Sequence, residues 1–256
     1  MRILLTNDDG ISADGLETLK EIALALSDDV WTVAPAQEQS AASRGVSLHN
    51  PVVARKLADK TYSVSGTPTD CVIVALREIM EDNPPDLVLS GVNRGQNIAE
   101  DIGFSGTVAG ALQGMQMGIP SIALSQARGF YNHNKGRVNW KAALKHGPKL
   151  LKKLLKQGWP QDVVLNINFP DVKDDDVEGV HVTTQGRRDF EMSNIDKRQH
   201  PRGGDYFWLT YKGGKSDPAP GTDLRAVYDD YISITPIHID HTHYKTVATL
   251  SALFED

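Results

Sequence analysis

Arg2-Ile3-Leu4-Leu5-Thr6-Asn7-Asp8-Asp9-Gly10 decides how this chain is read. Ile3, Leu4 and Leu5 form a short continuous apolar run, the pattern of a strand buried on both faces, and the run stops at two adjacent carboxylates and a glycine. In a parallel sheet covered by helices, the carboxyl ends of the strands line the crevice where ligands bind. Asp8 and Asp9 stand at such an end. Past the end of a strand the backbone turns, so two successive carboxylates are no longer held on opposite faces and both can reach one cation. Gly10 supplies the freedom for that turn. The residues from Asn7 to Gly10 also make a good turn leading into a helix cap, and this stretch alone does not choose between the two readings.

With 256 residues the chain is long enough for one large α/β domain, or for one domain with an appendage. The formal charge of -6 and the lack of a sustained Lys/Arg run argue against nucleic acid as an obligate partner. The apolar run after Arg2 is too short for a signal peptide, and no stretch has the length of a membrane span. A single cysteine, Cys71, fits a reducing compartment, so a cytoplasmic protein is expected with no membrane partner. In Cys71-Val72-Ile73-Val74 the thiol reads as a packed helix residue in preference to a nucleophile.

From Asp14 onward Leu16, Leu19, Ile22, Ala23 and Leu26 recur at helical spacing, which predicts an amphipathic helix over residues 14–27. A buried strand over residues 30–34 follows, and a strand, helix, strand series of this length implies a right-handed crossover and a parallel sheet. The Gly-x-Gly-x-x-Gly turn of dinucleotide binders is missing, and so is a Walker-type Gly-x-x-x-x-Gly-Lys-Ser/Thr phosphate loop. Residues 36–45, with Ser40 and Arg44, form a polar segment at the second strand's end. A hairpin is expected over residues 52–57 and 61–65, then a helix opened by Gly66-Thr67-Pro68-Thr69-Asp70 in ordinary capping order. The next strand, residues 86–89, runs into Ser90-Gly91-Val92-Asn93-Arg94-Gly95-Gln96-Asn97, a polar strand end that a pure scaffold would not need. Ser105-Gly106-Thr107 then precedes a helix of small residues and presents free N–H groups to an anion.

Further strands are expected over residues 120–125 and 163–169, with a helix over residues 140–157 whose lysines make a solvated face. Residues 187–222 are rich in Gly, Pro and charge yet carry Tyr206, Phe207, Trp208, Leu209 and Tyr211, which reads as a hairpin buried against a partner subunit. Strand character returns at residues 231–237. His238, His241 and His243 lack the cysteines or tight spacing of a zinc site. The expected fold is α/β, a Rossmann-like three-layer sandwich with a mostly parallel sheet and a C-terminal β-hairpin oligomerisation arm. Residues 1–185 form the catalytic core, 186–230 the arm, and 231–256 a strand and tail returning to the core or to a partner.

Asp8, Asp9, Ser40, Asn93 and the triplet from Ser105 to Thr107 all fall at strand ends or helix starts on one side of that sheet. Carboxylates with hydroxyl and amide oxygens, and no sulfur or imidazole, favour a hard divalent cation such as Mg2+ or Mn2+. Phosphate contacts are expected from Ser105, Gly106, Thr107, Arg94 and Asn97.

Taken in order, Asn7-Asp8-Asp9-Gly10, Ala34-Pro35 with Ser40, Gly66-Thr67-Pro68-Thr69-Asp70-Cys71, Ser90-Gly91-Val92-Asn93-Arg94-Gly95 and Ser105-Gly106-Thr107-Val108 closely resemble the survival protein E (SurE) family of metal-dependent nucleotidases. The resemblance reappears at Gly221-Thr222-Asp223 and Ile232-Ser233-Ile234-Thr235-Pro236. It implies that Asp8, Asp9, Ser40 and Asn93 hold one divalent ion per subunit. It implies a nucleoside-monophosphate phosphatase acting on 5'- and often 3'-phosphates, sometimes on polyphosphate, in a homodimer or homotetramer built through the C-terminal part. The expected chemistry is phosphomonoester hydrolysis by water that the metal-held Asp8 and Asp9 orient, with an aspartyl-phosphate as the competing route. The alternative from another class is a nucleotide or phosphate sensor without turnover.

Overall fold

In the computed structural model, which describes residues 1–129, 138–189, 193–211 and 216–254, Ile3, Leu4 and Leu5 are fully buried. They belong to β1 (Arg2–Thr6), which is followed by α1 (Asp14–Leu24), β2 (Asp29–Pro35), β3 (Ala54–Ala58), β4 (Thr61–Val64) and α2 (Pro68–Val74). Then come β5 (Leu87–Arg94), α3 (Gly106–Gln116), β6 (Ser121–Gln126), α4 (Lys141–Gln157) and β7 (Val164–Phe169). The C-terminal part adds β8 (Gly179–Val182), β9 (Ser193–Gln199), β10 (Asp205–Tyr211), α5 (Asp223–Tyr228), β11 (Tyr231–Ile237) and α6 (Tyr244–Ser251).

The unbroken apolar run of β1 has a simple cause. Ile3 and Leu5 point to one face of the sheet and pack with Leu16, Leu19 and Ile22 of α1 and Leu151 of α4. Leu4 points to the other and packs with Cys71 and Val72 of α2. A strand covered by helices on both sides has no polar face to show, so successive residues are all apolar. The result is three layers, helix, sheet and helix.

Nine strands make one sheet in the order β3-β4-β2-β1-β5-β6-β7-β11-β8. β1 lies in parallel between β2, with Ile3 opposite Val30, and β5, with Leu4 opposite Val88. β3 runs antiparallel to β4, and β11 antiparallel to β7. From β1 the chain steps outward to β2 on one side and later fills β5 on the other. The strand order therefore reverses at β1, and a crevice opens there beyond the carboxyl ends of β1 and β5.

Differences from the expected elements are local. α1 stops at Leu24, where the N–H of Ala25 donates back to the Glu21 and Ala23 carbonyls, although Leu26 still packs on the core. α2 continues through a wider π-helical turn, Ala75–Ile79. β8 was not anticipated; it is a short edge strand whose Val180 and Val182 are exposed, so no burial pattern marks it. α5 lies within the residues grouped with the arm, yet Leu224 and Val227 pack with Ile98 and Ala127 of the core. Cys71 is fully buried in α2, and burial pushes its thiol far up. The lysine face of α4 is exposed, although Lys145 is paired with Asp174, 3.3 Å away, and with Asp175.

β9 and β10 form a separate antiparallel pair, with Leu209 opposite Ile195. Phe207, Trp208 and Leu209 are exposed on it. Residues 190–192 and 212–215 of the expected arm, and the side chain of Tyr211, lie outside the described residues. No helix among the described residues is long and apolar enough to cross a membrane.

α1 meets the sheet at one very close approach: a Cβ on Gly15 would stand 2.0 Å from the Val92 carbonyl oxygen and 3.0 Å from Cη2 of Trp140. Replacing a helical glycine by alanine ordinarily stabilises by up to about 1 kcal/mol. Here the obstacle is backbone, which cannot yield as a side chain does, so overpacking wins. Gly15→Ala is expected to lower stability by roughly 1–3 kcal/mol, read as a lower urea midpoint; an unchanged or higher midpoint would contradict the packing described.

Candidate active site

Four loops at the carboxyl edge build the site. Asp8 and Asp9 follow β1, and their loop is tied to the one after β2: the N–H of Gln39 donates to the Asp8 carbonyl at 2.8 Å, and that of Ile11 to the Pro35 carbonyl at 2.8 Å. Asn7 holds the turn from inside, its amide donating to the Gly10 carbonyl at 2.9 Å. Gly10 has φ +101°, a left-handed conformation that a side chain would oppose. Asn93 and Arg94 close β5 after the pairing with β6 shifts between Ser90 and Asn93, a bulge of the kind that re-aims side chains at sheet rims. Ser105 caps α3, accepting the Val108 N–H at 3.0 Å.

These loops enclose a cleft of about 330 Å³. Asp8, Asp9, Ser40 and Asn93 all line it, as do Arg94, Asn97 and Ser105. Gly106 and Thr107 stand behind the wall. The Thr107 hydroxyl donates to Asp8 Oδ1, and a Cβ on Gly106 would come within 2.7 Å of the Asp8 Cβ. Their side-chain positions thus hold Asp8, while their N–H groups remain at the start of α3. Asn97 donates its backbone N–H to Asn168 Oδ1 at 2.8 Å and its side-chain amide to Ser125 at 2.9 Å, and its carbonyl accepts from Asn166 and Asn168. Its backbone N–H and one amide N–H hold the loop, which also accounts for the two buried asparagines in β7, and the second amide N–H is left for a partner in the cleft. Arg44 is elsewhere, lining a different cavity and donating to Gln116.

Burial sets the electrostatics. Asp8 is 5% exposed, and burial pushes its carboxyl from the ordinary 3.8 up to about 6; the neighbouring Asp9 charge adds to this while the Thr107 hydroxyl opposes it. Asp9 is likewise raised by burial, opposed by the Arg94 N–H, which donates to Asp9 Oδ2 at 3.0 Å, and by the Arg94 guanidinium. Arg94 Nε lies 3.9 Å from Asp9 and its terminal nitrogen 3.5 Å from Glu38.

Ser40 donates to Glu38 at 2.8 Å and keeps its oxygen lone pairs for another partner. Asn93 donates its amide to the Gly95 carbonyl at 2.9 Å, so its carbonyl oxygen is the atom suited to a cation. Two desolvated carboxylates beside two neutral oxygens are a donor set that fits a hard divalent ion, whose charge would relieve the cost of ionising Asp8 and Asp9 together. No group of three His, Cys, Asp or Glu placed to hold a metal occurs among the described residues, so any ion here depends on the neutral oxygens.

The cleft also contains Glu38, Gln96, Asp101, Phe104 and Arg128, which the sequence reading did not select. Arg128 follows β6 just as Asp8 follows β1, and its place at a strand's carboxyl end was the available signal. Asp101 is gripped from outside by Arg188, whose guanidinium donates to both carboxylate oxygens at 3.0 and 2.7 Å and is 6% exposed. Nothing local in the sequence marks that pair.

The family model described as survival protein SurE matches residues 3–192. A 5'-nucleotidase SurE of Caulobacter vibrioides is 55% identical over 253 residues, covering 99% of this chain and 96% of that one. The 5'-nucleotidase SurE of Hyphomonas neptunium is 54% identical over 250 residues, covering 98% of each. The crystal structure of the SurE protein from Aquifex aeolicus superposes with a TM-score of 0.84 at 36% identity, covering 100% of both chains.

A raised Asp8 means that the folded, metal-free protein binds this proton more tightly than the unfolded chain does. Stability therefore falls as pH rises from about 4 to about 6 and stays lowered above that range. Asp8→Asn removes the penalty. In metal-free urea titrations the variant is expected to be more stable than wild type at pH 8, by up to about 3 kcal/mol, with the difference closing towards pH 4. A variant less stable than wild type at pH 8 would contradict the burial of a strained charge at this position.

Proposed function

The chain belongs to the survival protein SurE family and is an enzyme, a 5'-nucleotidase, and on that basis we propose that it cleaves nucleoside 5'-monophosphates, and also 3'-monophosphates and polyphosphate, with one Mg2+ or Mn2+ per subunit. The observation that carries the proposal is the meeting of Asp8, Asp9, Ser40 and Asn93, from three separate strand ends, in one cleft at the point where the strand order reverses. These four would hold the ion. Once bound, it supplies positive charge to a phosphate oxygen and makes a water molecule more acidic.

The chain's own groups do the rest. The Ser105 hydroxyl, which accepts from Val108 but still has its proton to give, and the first N–H groups of α3 receive phosphate oxygens. Arg94 and Arg128, both on the cleft, balance the charge spread over those oxygens in a loose transition state. Thr107 fixes the direction of the Asp8 carboxylate. With both carboxylates engaged as ligands, neither is available to attack phosphorus, and water is the nucleophile they orient.

The C-terminal part supports an assembly. Phe207, Trp208 and Leu209 on the hairpin, and Tyr244, Leu250 and Phe254 on and after α6, are exposed. An isolated hairpin is at best marginally stable in water, and such apolar surface is covered economically by a second copy, giving a homodimer or homotetramer. The single reduced cysteine suits a cytoplasmic enzyme.

Phosphate release from AMP is expected in Mn2+ and is expected to fall to background after chelation, returning when Mn2+ is restored. Asp9→Asn should lower kcat/KM by at least about 100-fold while the fold is kept; near-normal turnover in the chelated protein would remove the ion from the account. Cleavage of a nucleotide whose phosphorus is made chiral with oxygen isotopes should invert the configuration at phosphorus, the mark of one in-line displacement by water, whereas retention, the mark of two displacements, would establish the aspartyl-phosphate route.

A further inference from the structure

A second cavity, of about 750 Å³, adjoins the cleft and shares Asp9, Glu38 and Arg94 with it. Its other walls differ in kind from the cleft. Ile11, Val138 and Trp140 provide apolar surface, while Ser12, Gln37 and Asp14 provide polar groups around the start of α1. Trp140 is half-buried and held in place, packed on the core cluster with Cη2 close over the Gly15 backbone. α1 carries no side-chain cap on its first turn, so N–H groups there are not satisfied by a capping oxygen.

A phosphomonoester whose phosphate sits in the cleft must put its alcohol part next door, and the three shared residues make this cavity the continuation. A largely polar hollow that holds one rigid aromatic ring beside converging polar groups suits a ligand with a flat ring and hydrogen-bonding edges. We propose that this cavity is the nucleoside subsite, in which the Trp140 indole stacks on the base and the Gln37 amide and Asp14 carboxylate pair with its edge. The proposal rests on the nucleotidase reading above. Purine nucleotides are the better substrates here, because stacking on an indole grows with ring area and the cavity has room for two fused rings.

The test uses the full chain in Mn2+ with AMP and with ribose 5-phosphate, which keeps the phosphate ester and lacks the base. Adenosine binding is measured separately by calorimetry. In Trp140→Leu the ratio of kcat/KM for AMP to that for ribose 5-phosphate is expected to fall about tenfold, with KM carrying the loss and adenosine affinity weakening in step. Gln37 is exposed, so Gln37→Ala supplies the same comparison, with a smaller fall, should Trp140→Leu not fold. Unchanged ratios and unchanged adenosine affinity in the folded variants, or a wild type that neither prefers AMP nor binds adenosine, would overturn the subsite even where AMP is cleaved. Trp140-dependent adenosine binding by a protein that releases no phosphate from AMP would uphold the subsite and overturn the nucleotidase reading instead.

Discussion

Asp8 must hold a negative charge where there is almost no water to stabilise it, and the architecture around the cleft follows from that requirement. Its carboxyl is pushed up by burial, beside a second carboxylate that is pushed up as well. Two such groups one residue apart stay in place only if the chain fixes them. Gly106 presses its bare Cα against Asp8, the Thr107 hydroxyl donates to its carboxylate, and the Gln39 N–H donates to its carbonyl. Asp9 is held in turn by the Arg94 N–H. The energy for this comes from the burial of Ile3, Leu4 and Leu5, which anchor the strand just before the two acids.

The sheet supplies the geometry, and the C-terminal part reaches into it. Reversal of strand order at β1 opens the crevice, so the loops after β1, β2, β5 and β6 all contribute to one wall. Asp223, fully buried at the start of α5, accepts the N–H groups of Ala99, Gly186 and Leu224. Arg188, just ahead of the hairpin, clasps Asp101 on the cleft. The segments on either side of the arm are thus bonded to the loop between β5 and α3 that borders the ligand cleft. The position of the arm and order in the cleft share these contacts.

Much of this was legible in the sequence because it rests on local pattern. An unbroken apolar run means a strand covered on both faces, and polar islands that interrupt such runs mark carboxyl ends, which is how Asp8, Asp9, Ser40 and Asn93 stood out together. What was not legible depends on partners far away in the chain. Asn97 reads as a phosphate contact and does line the cleft, but nothing near it in the chain shows that Asn166 and Asn168 engage its backbone across 69 and 71 residues. Thr107 reads as part of an anion-binding helix start, and only the folded chain brings its hydroxyl to Asp8, 99 residues earlier. β8 and α5 escaped for another reason: one is a four-residue exposed edge and the other six residues inside a polar stretch, too short for periodicity to show.

The central claim is that one divalent ion binds among Asp8, Asp9, Ser40 and Asn93. An anomalous-difference map from crystals of the protein grown with Mn2+ tests it most directly. The account predicts a single strong peak in each subunit within bonding distance of the side-chain oxygens of all four residues. Strong manganese peaks at other side chains, with none between Asp8 and Asn93 at an ion concentration that supports turnover, would contradict it.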